Sequence, residues 1–437
     1  EFLGTFLLVL TVECNVTIGS PLFAGLSIGA ALFVAVQAFG GISGANFNPA
    51  VSVALGCLRS MGSEGMDWPM VVAYSTVQLT GGIAAAFVGS LLCGKAVPLA
   101  VSPGFGLIAA CICEFLYTFM LCFVVLNVAA AKKNKEEKGQ YFAVAIGFCI
   151  IAGAYGAGTI SGAAFNPAVA ISLDVSSPGF GTSIIYAFVE LLAGVAAAWL
   201  FKHVRPEDFG SERSSESLSE QLLCETIGSF LLVLTVASNV HAKSAAGPLS
   251  VAAALAAMIY ALGDVSGGHF NPAVTCAVYF SGRSRGFREH RATLYVIVQV
   301  LGGCLAALLA MLTFQTRAAC GPKQGFSLVE ALSAEAVFTF ALSYVVLAVT
   351  VSDSTKASHF FGLAIGFVVV AGGFAVSHVS GALLNPAAAI ALAMSGSGAE
   401  YAFAYVATQL AAGMVAALAF RQTHRAEKLS DGPSLER

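Results

Sequence analysis

The apolar positions of this chain cluster into long runs instead of alternating with polar ones. Runs near 1–18, 23–41, 68–94, 106–129, 141–157 and 180–202 each come close to or exceed the roughly 20 residues that carry a helix across a bilayer. A second set falls near 221–240, 249–264, 292–314, 328–351, 359–376 and 400–420. The predicted elements are therefore twelve membrane-spanning helices, six plus six. Between the sets lies HVRPEDFGSERSSESLSEQ (203–221), polar, charged and rich in serine, which reads as a flexible linker. The chain divides into a first domain at 1–202, a linker at 203–220, a second domain at 221–420 and a tail at 421–437. It opens on Glu1 at the edge of the first apolar run, which predicts a polar segment ahead of it.

Four short segments interrupt this pattern. SGANFNPA (43–50), SGAAFNPA (161–168), SGGHFNPA (266–273) and SGALLNPA (380–387) each follow an apolar run. Each leads into an apolar stretch too short to span: VSVALGC, VAISL, VTCAVYF and AAIAL. Such a stretch fits a half-helix that enters the bilayer and stops. Proline suits its first turn, where a missing N–H costs nothing, and the preceding asparagine suits the cap. The N-terminus of a half-helix carries unpaired N–H groups and partial positive charge. Irregular backbone at membrane depth survives only where protein buries it or a wet cavity receives it. The asparagines of two such ends meeting at the midplane would offer amide donors to a solute oxygen, and the paired dipoles would repel cations and interrupt a proton wire.

The halves repeat each other, and each half repeats itself. FLLVLTV occurs at 6–12 and 230–236, AIGF at 145–148 and 364–367. A carboxylate followed four residues later by a hydroxyl recurs as Glu1/Thr5, Glu114/Thr118, Glu225/Ser229 and Glu335/Thr339. Gln78…Gly82, Glu190…Gly194, Gln299…Gly303 and Gln409…Gly413 mark the third and sixth runs. A unit of three spans thus occurs four times. Three is odd, so successive units enter the membrane from opposite sides, an arrangement that places a shared site near the midplane.

Composition agrees. The 437 residues are 57% hydrophobic and 10% charged, against about 25% charged in a soluble domain, which makes this a multi-pass membrane protein. The net charge of −3 gives no reason to expect nucleic-acid binding. Most of the eleven cysteines lie in predicted spans, and none has metal-ligand or disulfide-framework spacing. Neither metal nor cofactor is expected. With the chain ends, the linker, the 132–138 and 282–291 loops and the loops holding Arg59 and Lys356 on one face, only Lys95, Lys243, Arg317 and Lys323 fall on the other. The positive-inside rule makes the first face cytoplasmic.

The four SGxx[FL]NPA segments and the paired Glu-x-x-x-Thr motifs closely resemble the aquaporin, or major intrinsic protein, family. The chain is similar to two such domains fused head to tail, over about 1–202 and 221–420. The resemblance implies an all-α fold of two bundles, each with six transmembrane helices and two re-entrant half-helices in inverted repeats. It implies one pore per domain, for water and small neutral solutes, and four barrels per assembly, which two copies of this chain would supply. The pore asparagines would be Asn48, Asn166, Asn271 and Asn385, with Pro49, Ala50, Pro167, Ala168, Pro272, Ala273, Pro386 and Ala387 beside them. Counted from the motifs, the family's narrowing falls on Ile28, Ala154, Ala163 and Val169 in the first half, and on Val251, Gly373, Ala382 and Ala388 in the second. The family usually writes Arg where this chain has Val169 and Ala388, so both filters read as wide, apolar and permissive to glycerol, urea, ammonia or hydrogen peroxide. Glu1, Glu114, Glu225 and Glu335 would brace the half-helix loops. Asn46 and His269 would line the cytoplasmic vestibules, and His378 the opposite mouth.

Two other readings remain open. Inverted repeats with broken helices also build secondary transporters, although these usually hold charged groups at the site, and the predicted filter holds none. A membrane protein with plugged pores is the other. No Ser/His/Asp or metal constellation suggests an enzyme. Arg213-Ser214-Ser215 and Ser284 read as solvated surface ahead of phosphorylation sites.

Overall fold

A computed structural model describes residues 1–137, 141–178, 181–210, 217–284, 286–314, 319–352 and 358–425, those at 135–137 by backbone alone. The chain separates into two compact units, Glu1–Ser217 with Ala242–Ala246, and Leu218–His241 with Gly247–Arg437. The first unit contains α1 (Phe2–Ile18), α2 (Pro21–Ser43), α3 (Pro49–Ser60), α4 (Trp68–Cys93), α5 (Leu107–Val125), α6 (Lys132–Glu137), α7 (Phe142–Ser161), α8 (Pro167–Ser176) and α9 (Ser183–Val204). The second is built from α10 (Leu218–Ala242), α11 (Gly247–Ser266), α12 (Pro272–Ser281), α13 (Glu289–Phe314), α14 (Leu328–Val346), α15 (Phe361–Val376), α16 (Pro386–Ser395) and α17 (Ala399–Thr423). α5 and α14 each run on into one wider π-turn, Leu126–Ala130 and Leu347–Val351.

The fold is all-helical, with two bundles of the predicted kind. Among the described residues ten helices, counting the π extensions, are long and apolar enough to cross a bilayer. α1 and α15, with 17 and 16 residues, are shorter than that. α15 stops because the Val376 carbonyl turns to accept the N–H groups of Val379 and Ser380, which lowers the next Ser-Gly segment into the bundle.

α3, α8, α12 and α16 are the half-helices. They have 12, 10, 10 and 10 residues. At 1.5 Å per residue they reach ~15–18 Å, about half of a ~30 Å hydrocarbon core. Each starts at its Pro, two residues ahead of the apolar stretch that marks it in the sequence, because proline's fixed φ already matches the first turn.

Small residues set how closely the spans approach. A side chain on Gly29 would begin 2.8 Å from the Gly147 carbonyl, and one on Gly147 the same distance from the Gly29 carbonyl. The corresponding crossing in the second unit puts Gly366 3.0 Å from the Ala252 carbonyl. Gly82, Gly194, Gly303 and Gly413 lie against the half-helices: Ala168, Ala50, Ala387 and Ala273 each present a carbonyl to one of them.

The first part of the segment expected to be a flexible linker is folded. α9 continues to Val204, and a 3-10 turn follows at Pro206–Phe209. Arg205 is fully buried, its Nε donating to Asn127 Oδ1 (2.7 Å) on the π-turn after α5. Asp208, also buried, accepts the Lys132 N–H (3.2 Å). Charged residues that read as solvated in sequence are held because the Asn127 side chain on the π-turn and the Lys132 N–H of α6 are there to meet them. Ser217 onward leads into α10. Arg213, Ser214, Ser215, Arg285, Arg317, Lys356 and the tail beyond 425 lie outside the described residues.

Candidate functional site

Each Asn-Pro-Ala segment descends through an unusual backbone. After the helix ends at Ser-Gly, residues alternate into the left-handed region. Ala45 and Phe47 have φ of 54° and 50°, Ala163 and Phe165 55° and 50°, and Ala382 and Leu384 48° and 51°. In the third loop Gly268 (64°) and Phe270 (48°) do the same. A non-glycine residue pays roughly 1–2 kcal/mol for this conformation. What offsets that cost is a carboxylate. Alternating left-handed residues turn neighbouring N–H groups to one side, where a single side chain can collect them.

That side chain is Glu1, Glu114, Glu225 or Glu335. Glu1 accepts from Ser43 Oγ (2.6 Å), the N–H groups of Asn46 (3.1 Å) and Phe47 (2.8 Å), and Gln78 Nε2 (2.7 Å). Glu225 accepts from Ser266 Oγ, His269 N–H, Phe270 N–H and Gln299 Nε2, and Glu335 from Ser380 Oγ, Leu383 N–H, Leu384 N–H and Gln409 Nε2. Glu114 accepts from Ser161 Oγ and the N–H groups of Ala164 and Phe165. The serine of Ser-Gly and the glutamine of the third and sixth runs are therefore parts of one clamp.

The asparagines join the loops in pairs. Asn48 Nδ2 donates to the Phe165 carbonyl (2.9 Å), and Asn166 Nδ2 to the Phe47 carbonyl (2.8 Å). Asn271 donates to Leu384 (2.8 Å), and Asn385 to Phe270 (2.9 Å). Each Oδ1 accepts from the N–H two residues on, at 2.9 Å, which caps its half-helix. An amide has two N–H bonds. One is spent on the facing loop, and the other remains.

In the first unit these groups border a cavity of ≈ 30 Å³, room for about two waters. Its wall includes Asn46, Asn48 and Asn166, with Ile28, Ala163, Val169 and otherwise apolar side chains from α1, α2, α5 and α7. Among the described residues, no charged one lines it. Of the four positions counted for the filter, Ala154 is absent from this wall. Its Cβ lies 3.1 Å from where a side chain on Gly25 would begin, so it packs at the α2–α7 crossing. Gly373 is placed the same way in the second unit, with Pro248 in the space its side chain would need (2.5 Å). Val251 and Ala382 are half-buried, and Ala388 is buried. The small residues at Ala154 and Gly373 thus sit where neighbouring helices come close.

Asn46 and His269 occupy matching places but different surroundings. Asn46 Nδ2 donates to Ser52 Oγ (3.1 Å). His269 Nδ1 pairs with Thr275 Oγ1 (3.1 Å), and its ring packs edge-on against Phe287 and Tyr295. Both are buried at 8% exposure, so each belongs as much to the loop scaffold as to a vestibule. His378 is exposed, edge-on to Phe326.

Four further groups at or near the site have no role assigned from sequence. Glu190 stands where the other clamps have glutamine, and it accepts the Asn166 N–H (3.0 Å) while facing the Glu114 carboxyl. Asp174 gathers the N–H groups of Leu99, Gly181 and Ser183, pinning the loop that closes the first unit. Lys323 reaches Gly381, its Nζ 3.5 Å from where a side chain would start, whereas Leu99 fills the same place over Gly162. Glu13 is a buried carboxylate in the middle of an apolar run, accepting from Ser90 (3.2 Å) and Thr17 (3.4 Å). The glutamate in place of glutamine at 190 and the acid at 13 are visible in the sequence; the reach of Lys323 is not.

Four half-helices capped by asparagine, clamped by glutamate and joined in pairs define a membrane protein of two inverted-repeat bundles. The profile of the major intrinsic protein family matches residues 1–201, 108–251 and 211–420, and the chain belongs to this family. It is 32% identical to aquaporin NIP1-1 of Oryza sativa subsp. japonica over 215 residues, 47% of this chain and 72% of the rice protein. It is 33% identical to glycerol uptake facilitator protein-like 6 of Lactiplantibacillus plantarum over 198 residues, 43% of this chain and 88% of that protein. Each relative thus corresponds to about half of this chain, as a tandem fusion requires.

Proposed function

We propose that each unit is a passive channel for water and small neutral solutes, with one pore between its paired Asn-Pro-Ala loops. The reciprocal Asn–carbonyl exchange carries this reading. It sets two half-helix N-termini against each other, each asparagine keeping one amide N–H for the lumen. A passing water or hydroxyl oxygen would accept from that donor, while the opposed positive helix ends repel cations and break a proton wire. A coupled transporter would need a titratable group at the site, and the first unit's cavity wall has none.

The lumen is expected to admit more than water. Val169 and Ala388 stand where the family usually has Arg, so no fixed cation or donor fork competes for the solute there. Glycerol, urea, ammonia and hydrogen peroxide are the candidate solutes, and the resemblance to a glycerol uptake facilitator supports the first. Because Ala154 and Gly373 lie at close helix contacts, we expect the neck to be narrower than small residues alone would make it. Lys323 lies over the Ser-Gly end of the second loop pair, where Leu99 stands in the first unit, so the two pores are expected to differ in solute preference. The chain ends and linker are placed in the cytoplasm, and two copies of the chain would complete a four-barrel assembly in the bilayer.

The test is flux into proteoliposomes under glycerol, urea and sucrose gradients, with Asn48 and Asn166, then Asn271 and Asn385, changed to Leu. Each double variant is expected to remove the flux of one pore. Saturable flux with a steep temperature dependence, or loss of both pores on changing one pair, would overturn the proposal.

A further inference from the structure

The two helices α1 and α4 run parallel and very close. A side chain on Gly81 would begin 2.7 Å from the Phe2 carbonyl, and one on Gly89 2.6 Å from Glu13 Cγ and 3.5 Å from Leu10. Gly81 thus lies beside Phe2, and Gly89 beside Leu10 and Glu13, so the next turn of each helix carries Cys14 and Cys93 to the same end of the pair. Their thiols lie close enough to interact, and both are only partly buried. In the proposed topology this end of the bundle faces away from the cytoplasm, toward the side where disulfides persist.

The second unit has no such pair. The FLLVLTV repeat aligns Cys14 with Ser238, and the Gln78/Gln299 match aligns Cys93 with Phe314. The dithiol is thus not part of the repeated scaffold. A disulfide needs Cβ atoms about 3.5–4.5 Å apart, a separation open to side chains on helices packed as closely as α1 and α4.

We propose that Cys14 and Cys93 are an oxidisable dithiol that a hydroperoxide closes into an intramolecular disulfide between α1 and α4. One sulfur, as thiolate, attacks a peroxide oxygen. The O–O bond breaks, a sulfenic acid forms, and the other peroxide oxygen takes up a proton and leaves as water from hydrogen peroxide or as the alcohol from an organic hydroperoxide. The second thiol then attacks that sulfur, the S–S bond forms and water leaves. The sulfur pair loses two electrons and the peroxide gains them. α1 also carries Leu8 and Val12, which line the first unit's cavity, so the disulfide fastens one wall of that pore.

The experiment uses the full chain in proteoliposomes. It is treated with hydrogen peroxide, blocked with iodoacetamide, digested without reductant and read by mass spectrometry. The expected product is a peptide cross-linking Cys14 to Cys93. Alkylation of both thiols falls together by at least tenfold and returns with dithiothreitol. Cys14→Ser, which installs the residue the second unit already has, leaves Cys93 alkylated after peroxide. Unchanged alkylation in the wild-type chain, sulfonic acids at both positions without a cross-link, or pairing with other cysteines would each overturn the assignment.

Discussion

Glu335 is the cleanest place to test whether the loop clamps hold the pore geometry. Its two oxygens take four donors: Ser380 Oγ (2.7 Å) and Leu383 N–H (3.0 Å) on one, Leu384 N–H (2.8 Å) and Gln409 Nε2 (2.8 Å) on the other. Glu335→Gln turns one oxygen into a donor. Its better orientation directs the NH₂ toward Ser380, whose hydroxyl can accept, and leaves the Leu383 N–H unmet. A buried unmet donor costs about 1–3 kcal/mol. Glu335→Ala leaves both backbone N–H groups unmet, about 2–6 kcal/mol by the same scale. For a unit of this size each kcal/mol shifts the melting temperature by ~2–4 °C. Thermal unfolding in detergent should therefore rank wild type above Gln and Gln above Ala, with Ala lower by roughly 4–24 °C. Hydrogen exchange at Leu383 and Leu384 should rise in the same order, and flux through the second pore should fall. An alanine variant that melts with the wild type and keeps both amides protected would refute the clamp.

Four further outcomes follow from the same geometry. Gly194→Val drives a side chain into the Ala50 carbonyl (2.5 Å) and should cut first-pore flux at least ~10-fold by shifting α3, at a stability cost of about 1–3 kcal/mol. Gly303→Ala, with its nearest atom at 3.3 Å, should be tolerated in the same flux and melting assays. Val169→Arg places a guanidinium against a cavity of ≈ 30 Å³ and should suppress glycerol flux through the first pore far more than water flux, as parallel swelling measurements would show. Arg205→Met leaves Asp208 buried without the nearby guanidinium charge and should destabilise the first unit by ~3–5 kcal/mol; an unchanged melting temperature would count against it, and Asp208→Asn in the same chain should recover part of the loss.

Much of this architecture is local in origin and readable in one dimension. Apolar runs of span length, Pro at the first helical turn and Asn ahead of it point to full and half helices because each signal acts within a few residues. Repetition added the rest: four equivalent Ser-Gly segments and four equivalent carboxylates imply a common backbone demand. Sequence did not show which way a small residue faces. Ala154 and Gly373 count as filter positions by spacing, yet they sit at helix crossings because α2 and α11 approach there. Arg205 looks like solvated linker until the π-turn after α5 supplies Asn127.

The chain by itself determined its class, its two-fold repetition and the residues of its four loops, since each depends on hydrophobic length and turn chemistry. Only the tertiary structure decided which groups meet. Asn48 is 117 residues from Phe165, Glu335 is 49 from Leu384, and Cys14 is 79 from Cys93. Contacts at that separation depend on how helices cross, and the crossings depend on glycines whose partners lie on another helix. The left-handed residues make the point most sharply. Ala45, Phe47, Ala382 and Leu384 have no intrinsic preference for positive φ, and hold it only where a carboxylate from a distant helix collects the N–H groups that this backbone exposes.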